Sequence, residues 1–86
     1  MTECYIKLYA LSTCSHCKST RRLLDEYDVI YEYEEVDLLE GDERKSCIKD
    51  IKEVNPRCSF PTLVIKDRVI VGFKEDEILQ ALDATR

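Results

Sequence analysis

The chain has 86 residues, of which 44% are hydrophobic, and it carries a net charge of −5 at pH 7. This length predicts one domain over residues 1–86, and this apolar content suits a folded chain rather than a disordered one. The acidic charge argues against a nucleic-acid surface, and no stretch reaches the ~18–20 apolar residues that a membrane span needs.

The start of the chain and its cysteines suggest a compartment. Residues 1–4 show no basic segment followed by an apolar core, so we expect no signal peptide and a cytoplasmic location. Five cysteines are an odd number, which fits a closed disulfide framework poorly. In a reducing compartment one reactive pair plus buried thiols is the more natural interpretation.

The periodicity predicts four strands and three helices. Residues 4–11 are apolar on both faces, which is typical of a central strand, whereas the glutamates of residues 29–37 suit an edge strand. Pro61 has no N–H to donate to a ladder, so we expect it to open the third strand. The predicted order is strand 4–11, helix 15–27, strand 29–37, helix 42–54, strand 61–65, strand 68–71 and helix 74–84. This βαβαββα order predicts an α/β fold with a mixed four-stranded sheet and helices on both faces.

Cys14 and Cys17 lie where the first strand meets the first helix. Their spacing brings both sulfurs to one side of the first helical turn. A helix start offers unpaired N–H groups and a positive dipole end, and both favour a thiolate, the attacking species in thiol–disulfide exchange. We therefore assign Cys14 as the nucleophile and Cys17, deeper in the helix, as the resolving thiol.

The other residues around the CxxC motif have more than one possible role. Thr13 opens the motif, and Lys18 follows it and could help to hold the thiolate. His16 is either an exposed residue at a variable position or a partial positive charge that stabilises the Cys14 thiolate. We favour the second interpretation, because this is the only histidine of the chain.

Three further cysteines lie outside the CxxC motif. Cys4 is expected to be a core or edge thiol and Cys47 a core thiol, because both fit the apolar patterns. Cys58, three residues before Pro61, is either inert or a third redox thiol. A zinc site is disfavoured because no second CxxC supplies the missing ligands. A copper chaperone is disfavoured because such domains end on a strand, whereas this chain is predicted to end on a helix.

Three segments together resemble the glutaredoxins of the thioredoxin superfamily, over essentially the whole chain. They are Cys14-Ser15-His16-Cys17, Ser59-Phe60-Pro61 and Val71-Gly72-Phe73, in this order. The resemblance implies a thioredoxin-like fold, a cis Pro61 facing the dithiol, and substrate contacts from Ser59, Phe60, Gly72 and Phe73. The Phe60 backbone would pair with an extended peptide or with glutathione.

The implied activity is dithiol–disulfide oxidoreduction without a metal or organic cofactor, with glutathione as a possible co-substrate. Leu11 stands where glutaredoxins often carry a basic residue, and the ending at Gly72-Phe73 is similar to that of redoxins serving ribonucleotide reductase. The electron donor is therefore open among glutathione, thioredoxin reductase and a ferredoxin-dependent reductase. We expect a monomer that acts on disulfide-containing proteins. The alternative is an iron–sulfur carrier in which Cys14 ligates a cluster shared between two protomers.

Overall fold

The computed structural model describes residues 5–66 and 68–84 and has the predicted order of strands and helices. Cys4 and Asp67 lie outside the described residues. The expected role of Cys4 therefore lies outside them, as does part of the turn at 66–67 that joins the predicted strands 61–65 and 68–71. No helix among the described residues is long and apolar enough to cross a membrane. The elements are β1 (Ile6–Ala10), α1 (Ser15–Glu26), β2 (Glu32–Glu35), a short 3-10 helix (Val36–Leu38), α2 (Gly41–Val54), β3 (Thr62–Ile65), β4 (Arg68–Val71) and α3 (Glu75–Ala84).

The four strands form one mixed sheet in the order β2-β1-β3-β4. β1 pairs in parallel with β2, whereas β1 with β3 and β3 with β4 are antiparallel. β1 is therefore an interior strand, and its apolar residues are covered on both faces, as predicted. β2 is an edge strand, where its glutamates can remain solvated.

Apolar side chains form one cluster on each face of the sheet. α1 and α3 cover one face, α2 covers the other, and the predicted arrangement of helices on both faces is confirmed. The first core consists of Ile6, Leu8, Ala10, Cys17, Leu23, Leu24, Leu63, Ile65, Ile70, Ile78, Ala81 and Leu82. The second core is smaller and consists of Tyr9, Val36, Cys47 and Ile51.

The predicted second strand, 29–37, is wrong at both ends. β2 covers Glu32–Glu35 only, and Ile30, which the pattern assigned to the strand, is 93% exposed. The extent of pairing with β1 sets these limits, because register partners run only from Lys7, opposite Glu32, to Ala10, opposite Glu35. Beyond this point the chain turns into the 3-10 helix.

Other boundaries differ by one or two residues. β1 stops at Ala10 because the Leu11 carbonyl accepts a hydrogen bond from the Cys14 N–H at 3.2 Å, which turns the chain. β3 begins at Thr62, one residue after the proline that was expected to open it. The apolar repeat at Cys47, Ile51 and Val54 predicts a buried stripe along α2, but Val54 is 39% exposed, because it lies on the last turn beyond the second core. α1, α2 and α3 begin or end one residue away from the predicted positions.

Candidate dithiol site

Cys14 is the N-cap of α1. Its backbone is extended, with φ −87° and ψ 118°, and its carbonyl accepts the first helical hydrogen bond from the Lys18 N–H at 3.2 Å. The sharp turn at residues 11–14 carries the chain from the end of β1 directly into this cap. The strand and the helix thus fix the Cα position of the predicted nucleophile from both sides.

The sulfur of Cys14 occupies the place of a capping oxygen. Its Sγ accepts a hydrogen bond from the Cys17 N–H at 3.2 Å, a donor that has no partner within the helix. The positive end of the helix dipole lies at the same point. Both features stabilise negative charge on this sulfur, and the half-buried side chain leaves it open to an incoming group.

Cys17 is buried, with 1% of its surface exposed, and it belongs to the first core. Burial, together with the hydrogen bond that its thiol makes to Cys14, raises the pKa of Cys17 to about 12. A hydrogen bond with the Leu11 backbone opposes this rise, and the nearby charge of Asp37 adds to it. The pair is therefore asymmetric at neutral pH, with a protonated buried thiol donating to an accessible sulfur.

Asp37 is part of this site, although the sequence did not single it out. Its carboxylate accepts two hydrogen bonds from Ser12, from the backbone N–H at 2.9 Å and from Oγ at 2.5 Å. These bonds lower the pKa of Asp37. The contact joins the segment after β2 to the loop that carries Cys14. Since 25 residues separate the two partners, no local pattern could reveal it.

The loop that precedes β3 lies next to the end of β1, because Thr62 at the start of β3 pairs with Tyr9. The Phe60–Pro61 peptide bond is cis, and the Pro61 carbonyl accepts a hydrogen bond from the Gly72 N–H at 2.9 Å. Phe60, Phe73 and Cys14 all pack against the first core. Gly72 adopts φ +87°, in the region that favours glycine, as expected from its position after β4.

A buried amide holds this loop in shape. The Nδ2 group of Asn55 donates to the Ser59 carbonyl at 3.3 Å, to the Ser59 Oγ at 3.2 Å and to the Thr62 Oγ1 at 3.1 Å. The Thr62 hydroxyl donates in turn to the Ser59 carbonyl at 2.6 Å. Asn55 is the C-cap of α2, and its side chain also fixes the loop that leads into β3.

The remaining predicted site residues are nearby but less engaged. Thr13 and His16 are exposed, and the His16 carbonyl accepts a hydrogen bond from the Thr20 Oγ1 at 2.9 Å. Lys18 is exposed on α1 and lines a cleft together with Ser12. Ser59 is half-buried and joined to Asn55. Their predicted catalytic roles remain predictions.

The other described cysteines lie on the opposite face of the sheet. Cys47 is 7% exposed within the second core, which confirms the prediction of a core thiol, and burial raises its pKa. Cys58 packs against this second core with φ +51°. Residues 5–66 and 68–84 contain no group of three or more His, Cys, Asp or Glu side chains that could hold a metal ion. This result concerns sites within one chain, whereas the predicted iron–sulfur cluster would be shared between two.

Comparisons with known proteins agree on one family. The glutaredoxin family model matches residues 6–70. The structure of methanoredoxin from Methanosarcina acetivorans aligns at 47% identity with a TM-score of 0.86, covering 91% of this chain and 83% of that one. A glutaredoxin from Methanosarcina mazei aligns at 43% identity with a TM-score of 0.84, covering 91% and 77% of the two chains. A glutaredoxin from Archaeoglobus fulgidus aligns at 34% identity with a TM-score of 0.85, covering 90% and 84%. A search of curated protein sequences gave no match.

The mixed sheet, the helix-capping dithiol and the proline loop beside it define a redox protein with the thioredoxin fold. Within that class, the chain belongs to the glutaredoxin family.

Proposed function

We propose that this protein is a dithiol–disulfide oxidoreductase that reduces protein or low-molecular-weight disulfides through Cys14 and Cys17. One observation carries the proposal. The accessible Cys14 sulfur accepts the Cys17 N–H at 3.2 Å at a helix N-terminus, while the Cys17 thiol is buried and protonated behind it. This arrangement separates an attacking sulfur from a resolving one.

The first step is attack by the Cys14 thiolate on a target disulfide R–S–S–R′. A bond forms between the Cys14 Sγ and one target sulfur, the target S–S bond breaks, and R′S⁻ leaves and takes up a proton from water. The helix N-terminus and the hydrogen bond from the Cys17 N–H stabilise the thiolate before attack. No metal or organic cofactor takes part.

The second step is attack by Cys17 on the mixed disulfide. The Cys17 thiol loses its proton to solvent, and its sulfur attacks the Cys14 Sγ. The bond from Cys14 to the target breaks, RS⁻ leaves, and a Cys14–Cys17 disulfide remains. The pKa of about 12 keeps Cys17 protonated until this step, so only the Cys14 sulfur attacks the target disulfide in the first step. A reductant then supplies two electrons to restore both thiols.

The substrate lies along the loop before β3. Among the described residues no backbone hydrogen bond engages Phe60, so its N–H and C=O are available to an extended peptide or to glutathione, as the family resemblance implies. Phe60 and Phe73 pack against the first core, as Cys14 does, and supply apolar contacts to the substrate, while Ser59 and Gly72 border the same loop. We assign the substrate backbone to this loop.

Cysteine variants test the two steps. A Cys14→Ser protein is expected to lose disulfide reductase activity, whereas Cys17→Ser keeps the first step and accumulates a mixed disulfide visible by mass spectrometry. Cys47→Ser is the matched control, since that thiol is buried in the second core. Full activity in Cys14→Ser would overturn the assignment of the nucleophile.

The electron donor is tested with two coupled assays run in parallel. One supplies glutathione, glutathione reductase and NADPH, and the other supplies thioredoxin reductase and NADPH. Leu11 offers no charge to a glutathione carboxylate, and Lys74 is paired with Glu77 at 3.6 Å. We therefore propose thioredoxin reductase as the better donor. Faster turnover with glutathione would contradict this, and turnover with neither would point to a ferredoxin-dependent reductase.

We further propose a monomer in the cytoplasm. The four described cysteines are free thiols, which suits a reducing compartment. Gel filtration after anaerobic purification tests the oligomeric state, and the visible spectrum of the same sample tests the iron–sulfur alternative. A coloured dimer would contradict the monomer and favour the cluster carrier.

A further inference from the structure

Three basic side chains follow the dithiol along one side of α1. Lys18, Arg21 and Arg22 are all exposed, and their spacing of three and four residues places them on a common helix face. We refer to these three residues as the α1 basic face. It stands out because the chain as a whole carries a charge of −5.

Aromatic and loop residues connect the α1 basic face to the site. The guanidinium of Arg21 lies over the Tyr33 ring, 4.2 Å from its centroid, so a cation–π contact orients it. The α1 basic face, Tyr33 and Ser12 line a common cleft. Since Ser12 belongs to the loop that carries Cys14, this cleft runs from that loop along α1.

Few negative charges oppose the α1 basic face. Asp25 and Glu35 also line the cleft, but Asp25 already accepts a hydrogen bond from the Tyr31 hydroxyl at 2.7 Å. The ion pairs within residues 5–66 and 68–84 are Lys7–Glu32 and Lys74–Glu77, so none of them involves this face. Arg21 is also hydrogen-bonded to Tyr31, which orients its guanidinium without neutralising its charge. All three residues are exposed, so their positive charges are accessible to a partner.

Helix geometry sets the distance from this face to the reacting sulfur. Arg21 and Arg22 follow Cys14 by seven and eight residues, which at ~1.5 Å per residue is about 10–12 Å along the helix axis. An extended peptide covers the same distance in about three or four residues, at ~3.3 Å each.

We propose that the α1 basic face docks an acidic segment of the disulfide-bearing protein substrate, with carboxylates three or four residues from its reactive cysteine. This inference rests on the proposed reductase function and adds a specificity to it. Complementary charge raises the rate of encounter and fixes the orientation of the partner. A long polyanion is disfavoured, because the net charge of the protein repels it.

The test measures single-turnover reduction of synthetic peptide disulfides by the reduced protein at low ionic strength. In the first peptide, two glutamates lie three and four residues from the cysteine. In the second peptide, the two glutamates lie next to the cysteine. In the third peptide, glutamines replace the glutamates at the distant positions. We expect the first to react about tenfold faster than the third, within the range typical of electrostatic steering. This difference in reduction rate should become smaller at high salt, because salt screens the attraction between exposed charges.

Variants of the α1 basic face test the residues involved. In the double variant Arg21→Gln/Arg22→Gln, the ratio of the reduction rates for the first and third peptides should fall toward one. Arg21→Glu/Arg22→Glu should reverse the preference toward a lysine-bearing peptide, an effect that a merely structural role would not produce. Arg22→Gln alone leaves the contact between Arg21 and Tyr33 intact and should lower the ratio part of the way. Lys49→Gln/Lys52→Gln is the matched control on α2, across the sheet, and should keep the full ratio.

The outcomes separate the two proposals. If the wild-type protein reduces none of the peptides, the reductase function itself fails. If it reduces the glutamate and glutamine peptides equally fast, the reductase stands and the docking surface is refuted. If glutamates beside the cysteine give the same gain as distant ones, the attraction has no defined position, and the docking surface is again refuted.

Discussion

At the scale of single residues, this site depends on unequal environments for two chemically identical side chains. Cys14 caps a helix and is accessible, whereas Cys17 is one turn further on and enters the first core. A spacing of three residues predicts that both sulfurs lie on one side, but it does not predict how deeply each is buried. Burial is what raises the pKa of Cys17, and only the packing of α1 against the sheet produces it.

The raised pKa of Cys17 predicts a loss of stability in alkaline solution. The native thiol holds its proton up to a pKa of about 12, whereas the unfolded thiol releases it near 9.0, so its contribution to stability is fully present below pH 9 and is lost as pH rises toward 12. The reduced wild-type protein should therefore lose up to roughly 1.4 kcal/mol of unfolding free energy per pH unit through this group. Urea unfolding with a phosphine reductant measures it. The unfolding free energy of Cys17→Ser should fall less steeply as pH rises, while Cys47→Ser should keep the contribution of Cys17. Equal slopes of unfolding free energy against pH in all three proteins would contradict the prediction.

The contact between Asp37 and Ser12 predicts that the two residues act together. Asp37→Asn removes the charge that accepts both hydrogen bonds from Ser12, so the loop before Cys14 loses its anchor and disulfide reduction should slow several-fold. Ser12→Ala removes one of the two bonds and should have a smaller effect. In the double variant the losses should not add, because the partners share one interaction. Additive losses in kcat/KM would show that the residues act independently.

At the scale of elements, the loop between α2 and β3 is built around one buried amide. Asn55 ends the helix through its backbone and holds Ser59 and Thr62 through its side chain. Asn55 is 5% exposed and Thr62 is fully buried, so water cannot replace these bonds easily. The shape of the loop before β3 therefore follows from a polar network on its buried side.

Removal of that amide should weaken both the fold and the site. Asn55→Ala removes the donor to the buried Thr62 Oγ1 and to the Ser59 Oγ, while the Ser59 carbonyl keeps its hydrogen bond from Thr62. The expected cost is about 1–3 kcal/mol of unfolding free energy. The Michaelis constant for a peptide disulfide should rise as the loop loses its shape. Chemical denaturation and steady-state kinetics measure the two effects. Ser59→Ala, which removes only one acceptor hydroxyl, is the control and should cost less; an equal cost would argue against the network.

At the scale of the whole molecule, one sheet separates two cores of unequal size. The first core joins α1 and α3 to the sheet, and the second joins α2. β1 contributes Leu8 to one and Tyr9 to the other, so loss of either core exposes the same central strand. We expect the chain to unfold as a single domain for this reason.

Truncations in the two cores test that expectation. Leu24→Ala in the first core and Ile51→Ala in the second each empty a fully buried site and should cost about 2–5 kcal/mol. Both should lower the midpoint of one transition that near- and far-ultraviolet circular dichroism report together. Ile30→Ala, at a position 93% exposed, is the control and should change stability by less than about 0.5 kcal/mol. Two separate transitions in either core variant would contradict a single domain.

The sequence by itself determined the order of elements, the mixed sheet, and the place of Cys14 and Cys17 at a strand–helix junction. These follow from local periodicity, from proline and glycine chemistry and from motif spacing, all of which act within a few residues. It did not determine the limits of β2, because the pairing with β1 sets them. The roles of Asp37 and Asn55, the depth of Cys17 and the link between the α1 basic face and the dithiol were also decided only by the tertiary structure. Each depends on contacts between distant segments or on packing against the sheet, and neither leaves a periodic trace in the chain.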